Sequence, residues 1–247
     1  MFFQRVLFVL LVCALSAGCH ATQGARVTAP SPPAARNAAL PDSLVWVQRS
    51  AEYYAAVIQV YRQATARVEQ QASSRSPGTW AVVLDADETI VSNLQYQIER
   101  VGLGYSSESW AAWVRRREAT PLPGAAAFLA RVHQLGGRIA IVTNRLESEC
   151  TDTIALFKTL ALAFDAMLCR PDKSPSDKNS RFEAVAAGKT PAGNSPMEVV
   201  AFLGDNILDF PALSQKLRQA GETAFGEFGV KFFLLPNPMY GSWQESR

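Results

Sequence analysis

The sequence predicts an α/β fold, a doubly wound parallel sheet with a small helical cap, and three observations carry that prediction. Short apolar runs of strand length, 80–84, 139–142 and 199–203, stand between segments with helical spacing. Such runs suit strands buried on both faces, as in a parallel sheet. They alternate with the helical segments along the chain, the order that right-handed crossovers require. A polar cluster follows each run: Asp85-Ala86-Asp87-Glu88-Thr89, Thr143-Asn144-Arg145, and Gly204-Asp205-Asn206-Ile207-Leu208-Asp209. In an open parallel sheet ligands bind beyond the carboxyl ends of the strands, so the three clusters converge on one edge.

Residues 1–18 read as a secretory signal peptide. One arginine precedes an apolar stretch from Val6 to Leu15, too short to span a bilayer as a permanent helix. Leu15-Ser16-Ala17-Gly18-Cys19 places small residues before a cysteine, as in a lipobox, and makes Cys19 the candidate lipidation site. The alternative is ordinary cleavage nearby and a soluble periplasmic product. An acylated cysteine carries several chains and anchors stably, so the protein is expected in the cell envelope, lipid-anchored at the outer membrane or periplasmic. Residues 19–41, rich in alanine, proline, serine and threonine without an apolar period, read as a flexible tether. Residues 42–247 suffice for one domain with a substantial core.

Within that domain, Ser43 to about Gln71 reads as one long helix capped by Asp42 or Ser43, with Leu44, Val47, Ala51, Ala55 and Ile58 at helical spacing. Strands are expected at Trp80–Asp85, Arg138–Thr143, Ala166–Cys169, Val199–Gly204 and Val230–Leu235. Between the first two, residues 95–137 hold two helical stretches, the second opened by Pro121-Leu122-Pro123-Gly124. The first helix (43–72) and the insert (95–120) make up the cap.

A net charge of +2 with 48% apolar residues and no long basic stripe excludes a nucleic acid polymer as partner. His133 is the only histidine in the folded part, so a zinc site or a histidine nucleophile is hard to build. An all-oxygen Mg2+ site is the natural alternative. Beyond the signal and the lipidation site, Cys150 and Cys169 remain in an oxidising compartment; they form either a disulfide or two buried thiols, and spacing does not decide between these. A lone aspartate at a strand end often only caps a helix. Two aspartate pairs, a hydroxyl and a lysine in order are a set that can hold a divalent cation and attack a phosphate.

This order resembles the haloacid dehalogenase-like (HAD) phosphohydrolases, and most closely the class C bacterial lipoprotein acid phosphatases, which include outer-membrane 5'-nucleotidases. The narrower resemblance adds Val45-Trp46-Val47-Gln48-Arg49-Ser50-Ala51-Glu52-Tyr53, Ser109-Trp110-Ala111-Ala112-Trp113-Val114 and Leu235-Pro236-Asn237-Pro238-Met239-Tyr240-Gly241-Ser242-Trp243, and spans residues 42–243. It implies Asp85 as nucleophile, forming an aspartyl-phosphate. Asp87 becomes the general acid and base, a role typically worth ~10²–10⁴ in rate. Thr143, Asn144 and Lys178 bind the phosphoryl group, and the Lys178-x-x-Arg181-Phe182 spacing selects Lys178 over nearby Lys173. Mg2+ is expected on the Asp85 and Asp205 carboxylates and the Asp87 backbone carbonyl, with Asp209 acting through water or behind the direct ligands. Trp110 and Tyr240 are expected to sandwich the base or ring of a small phosphomonoester such as a nucleoside 5'-monophosphate, with Trp113 turned inward; the alternative makes both core aromatics. A phosphotransferase with the same intermediate remains open, and so does a non-catalytic surface-binding lipoprotein, against which the intact Asp85 and Asp87 argue. Two departures stand out. Ser92 replaces an aspartate common before Asn93, and the sequence stops soon after Trp243, which bears on substrate size and on a possible homodimer contact.

Overall fold

The computed structural model describes residues 39–190 and 195–246. The signal peptide, Cys19 and nearly all of the tether lie outside the described residues. In chain order the elements are α1 (Asp42–Arg49), α2 (Ala51–Ala72), β1 (Trp80–Leu84), β2 (Val91–Ser92), α3 (Leu94–Glu99), α4 (Ser107–Arg116), β3 (Thr120–Pro121), α5 (Ala125–Gln134), β4 (Arg138–Leu146), α6 (Cys150–Thr159), β5 (Ala166–Arg170), α7 (Asn179–Ala186), β6 (Glu198–Gly204) and β7 (Phe232–Leu234).

Five strands form one parallel sheet in the order β5-β4-β1-β6-β7. The order reverses at β1, so the crevice of a doubly wound sheet opens beyond the ends of β1, β4 and β6. Burial on both faces follows the period of two. Val82, Leu84, Ile139, Ile141 and Leu203 face one core with Val57, Tyr61 and Ala64 of α2 and Phe128 and Leu129 of α5. Ala81, Val83, Ala140, Val142 and Phe202 face a second core with Phe182 and Val185 of α7 and with Phe210. The expected fold class is the one observed.

Three local expectations are corrected. The single helix over 43–71 is two, because Ser50 takes an extended conformation (ψ 137°) and its hydroxyl accepts the Tyr53 amide at 3.0 Å, capping α2. α1 then packs on α3 of the insert, whereas α2 runs along the sheet, where Tyr61 donates from its hydroxyl to the Thr89 carbonyl at 2.6 Å. The stretch 95–137 holds three helical pieces rather than two. A turn with Gly102 and Gly104 at positive φ ends the first piece, and Ser106 and Ser109 form a capping box that starts α4. A short antiparallel ladder, Val91 with Pro121 and Ser92 with Thr120, closes the insert at its base. The last strand begins at Phe232 rather than Val230, because a turn at Gly229 (φ 79°) precedes it. Cys150 and Cys169 form a disulfide with Cα atoms 6.0 Å apart, tying the start of α6 to the end of β5.

Candidate active site

The loop after β1 carries the first two aspartates. The Asp85 amide donates to the Leu203 carbonyl at 3.0 Å, which continues the β1–β6 ladder by one residue and delivers the Asp85 side chain to the sheet edge. The chain then turns tightly, with the Ile90 and Val91 amides both donating to the Ala86 carbonyl and Glu88 held at φ 50°. After β6, Gly204 is required by close approach: an added Cβ would lie 2.2 Å from Cβ of Asp209. The loop folds back through that gap, and the Asn206 amide donates to Asp209 Oδ2 at 2.9 Å. Lys178 stands at the N-terminal cap of α7, between the two loops.

These elements bring the chemistry together. Lys178 is buried and donates from Nζ to Asp85 Oδ1 at 2.5 Å and to Asp209 Oδ1 at 2.6 Å. Asp85, Asp205 and Asp209 each present a carboxylate oxygen within 4.8 Å of the others. Asp205 also accepts from Asn237 Nδ2 at 2.8 Å. The Asp87 carboxylate sits in the fork of Arg145, with Nε at 3.1 Å from both oxygens and Nη2 at 2.7 Å, and accepts from Asn93 Nδ2 at 2.8 Å. Lys173 is exposed and plays no part here.

Charge at this edge is out of balance. Burial pushes the Asp85 carboxyl up to about 7 despite Lys178, with Asp209 and Asp87 adding to the rise. Burial, Asp209 and Asp85 hold Asp205 well above the usual carboxylate range. Burial pulls the Lys178 ammonium down, but Asp209 and Asp85 outweigh it and hold the group above its ordinary value. Crowded acids on one lysine fit a divalent cation, whose binding relieves the repulsion. The donors are all oxygen, which suits a hard ion such as Mg2+ that keeps several waters. Both Asp209 oxygens accept hydrogen bonds, from Lys178 and from the Asn206 amide, and Asp205 accepts from Thr89 and Asn237.

A cavity of about 400 Å³ opens above this floor. Asp85, Asp87, Lys178, Asp205 and Asp209 line it, and Tyr96, Tyr105, Trp110 and Tyr240 form aromatic walls. Trp110 and Tyr240 are half-buried and line the cavity, and Trp110 also packs against the core. Trp110 meets Tyr96 edge-on, with centroids 5.2 Å apart. The Tyr240 hydroxyl donates to Glu88 Oε2. Trp113, in contrast, is buried and donates from its indole to Asn93 Oδ1 at 2.8 Å. Asn144 lines the cavity, but Thr143 does not: it is fully buried, and its hydroxyl oxygen accepts the Arg145 amide at 3.1 Å. Arg181 braces this loop, donating to the Thr143 carbonyl and to Asn144 Oδ1.

Over residues 9–243 the chain matches the HAD superfamily, subfamily IIIB (Acid phosphatase). It belongs to that family. The class C acid phosphatase from Bacillus anthracis is similar in structure, with a TM-score of 0.73 at 28% identity over 83% of this chain and 86% of that one. The same bacterium's class C acid phosphatase with tungstate bound gives 0.74 at 28% identity and the same coverage. The chain is an acid phosphatase, a phosphoric monoester hydrolase, and its acid cluster suits the divalent metal typical of such enzymes.

Three residues of this phosphatase that shape the site were not assigned a role from sequence. Arg145 is buried and turned onto Asp87. Asn93, fully buried, joins Asp87, Glu88, Trp113 and Arg145 through one side-chain amide. Glu88 accepts the Asn93 amide at 2.6 Å, and burial, then the neighbouring Asp87, push its carboxyl up to about 8. The signal for Arg145 was its place: a charged residue within reach of a buried strand end needs a buried partner, and the paired acids of the neighbouring strand supply one. Ser92 accepts the Leu94 amide on its hydroxyl at 3.2 Å, so the departure at that position still helps to start α3.

Proposed function

We propose that this acid phosphatase is Mg2+-dependent and hydrolyses small phosphomonoesters, nucleoside 5'-monophosphates among them, through an aspartyl-phosphate on Asp85. One observation carries the reading: a floor of acids and a buried lysine beneath a cavity walled by aromatic rings. A carboxylate approaching a phosphate meets charge repulsion, so attack requires fixed positive charge at the floor. Asp85 forms a bond to phosphorus as the ester P–O bond breaks, and the leaving oxygen takes a proton from Asp87. Water then attacks the phosphorus, Asp87 accepts its proton, and the Asp85–phosphorus bond breaks to release inorganic phosphate. Lys178 and Asn144, which line the cavity, offer donors to the phosphoryl oxygens. Held by the Asp85 and Asp205 carboxylates and the Asp87 carbonyl, with Asp209 behind them, Mg2+ would serve as Lewis acid and template. A similar class C acid phosphatase has been captured with tungstate, an oxyanion shaped like phosphate, which is in keeping with an oxyanion-binding activity.

The aromatic walls favour a leaving group with a ring, since each stacked base is worth ~1–3 kcal/mol on an aromatic side chain. A signal peptide, lipidation at Cys19 and a Cys150–Cys169 disulfide are consistent with an oxidising cell envelope, with the membrane reached through the lipid alone. Cys19→Ser is expected to release the protein from membranes, and an unchanged membrane fraction would count against the anchor. The activity test uses purified protein on a panel of phosphate esters, with and without Mg2+ and an added alcohol. Chelation is expected to silence release of phosphate and Mg2+ to restore it, with Zn2+ a poor substitute among oxygen ligands. Activity that survives exhaustive chelation overturns the metal site, and phosphate appearing on the alcohol makes the enzyme a phosphotransferase.

A further inference from the structure

We propose that Arg145 is a positioning residue that fixes the Asp87 carboxylate for proton transfer to the leaving group. The proposal rests on the reading of Asp87 as general acid and base. Arg145 is only 2% exposed, and its guanidinium is held on every side. Nε and Nη2 grip the Asp87 carboxylate, Nη2 also reaches Asn93 Oδ1 at 3.3 Å, and Nη1 reaches Thr153 Oγ1 of α6 at 3.3 Å. The guanidinium carbon lies 5.5 Å from the Trp110 ring centroid. Asn93 completes the clamp. Its amide oxygen is engaged by Trp113 and Arg145, which forces its NH₂ group toward Asp87 and Glu88.

A buried guanidinium needs a partner, and a carboxylate matches its planar fork bidentately. This one spends its fork on a carboxylate that lines the substrate cavity while its own frame is α6, the insert and the end of β4. Asp87 sits on a loop, so without that fork its side chain has Asn93 alone to orient it. Because Trp110 flanks the same guanidinium, the ring that would carry the leaving group and the acid that would protonate it share one support. Misplacement by 1 Å can cost on the order of 10²-fold in rate.

The test is the dependence of rate on leaving group, a ratio that partial unfolding does not change. In Arg145→Lys, which keeps charge but loses the fork, kcat/KM on glycerol 2-phosphate should fall by ~10-fold or more relative to p-nitrophenyl phosphate, whose phenolate needs little protonation. Asp87→Asn should shift the ratio the same way, and Arg145→Lys added to Asp87→Asn should shift it no further. If Asp87→Asn shifts the ratio and Arg145→Lys does not, the positioning role is overturned while the acid role stands. If neither shifts it, the acid role itself fails, and the positioning role with it. Should Arg145→Lys weaken competitive inhibition by inorganic phosphate with the ratio intact, Arg145 binds the phosphoryl group instead and the proposal is wrong.

Discussion

The two ends of the same sheet carry polar clusters of opposite design. At the amino ends of β4 and β5, Asp165 accepts from the Ile139 amide at 2.8 Å, meets His133 Nε2 at 2.8 Å and accepts from Arg138 at 2.9 Å. Burial raises the Asp165 carboxyl, but the Ile139 amide, His133 and Arg138 outweigh it and hold the group below its usual range. At the carboxyl ends, Asp85, Asp205 and Asp209 crowd one lysine, and Asp85 and Asp205 are pushed upward. A structural cluster is balanced by its own neighbours. A site that binds a cation and a phosphate is left unbalanced until they arrive, and that imbalance distinguishes the two ends.

The sharpest way to break the comparison is to remove one acid from each end. Asp85→Asn keeps shape but cannot attack phosphorus, and turnover should fall by more than about 100-fold, within the range for losing one catalytic group. Retention of more than a hundredth of wild-type activity would exclude Asp85 as nucleophile. A milder effect is expected above the floor. Trp110→Ala and Tyr240→Ala should each raise KM for a nucleoside monophosphate by about ten-fold more than for glycerol 2-phosphate, the factor that ~1.4 kcal/mol supplies. Parallel changes on both substrates would show that the rings support the fold rather than the leaving group.

How far this contrast is legible in sequence depends on range. Asp85, Asp205 and Asp209 could be placed because each follows an apolar run whose end fixes its position on the sheet edge. His133 and Asp165 carried no such signal, since they lie 32 residues apart and meet only once β4 and β5 are paired. The same limit hid Arg145 and Asn93, which reach across 52 residues to share Asp87. The break at Ser50 went unread for a local reason: the spacing of apolar residues continues through it, and only the serine's cap on Tyr53 marks the new start. Thr143 shows the converse. Its place after a buried strand was readable, but its withdrawal from the cavity wall depends on the Arg145 amide and on Arg181, which packs behind it from α7.

The smallest expected effect tests the electrostatics directly, because the two ends predict opposite pH slopes of stability. Asp85 is raised to about 7 and Glu88 to about 8. In the folded, cation-free protein these groups hold protons that the unfolded chain has released above its own values of about 3.9 and 4.3. The folded state then binds more protons, and stability falls as pH rises from about 4 to about 8. Asp165 is lowered, so its contribution is present above about 3.9 and is lost as pH falls through its folded value. Melting of chelated protein should therefore decline between pH 5 and pH 8, and Asp85→Asn should flatten that decline. Asp165→Asn should lower Tm by a few degrees, as expected for about 1–2 kcal/mol in a domain of this size, nearly equally across that window. Mg2+ should raise Tm more at pH 8 than at pH 5, since it binds the ionised carboxylates of the folded state alone. A chelated protein whose Tm rises over this range, or an Asp85→Asn variant with the wild-type slope, would mean that the carboxyl-end acids are as well balanced as Asp165, and the contrast between the two ends would be lost.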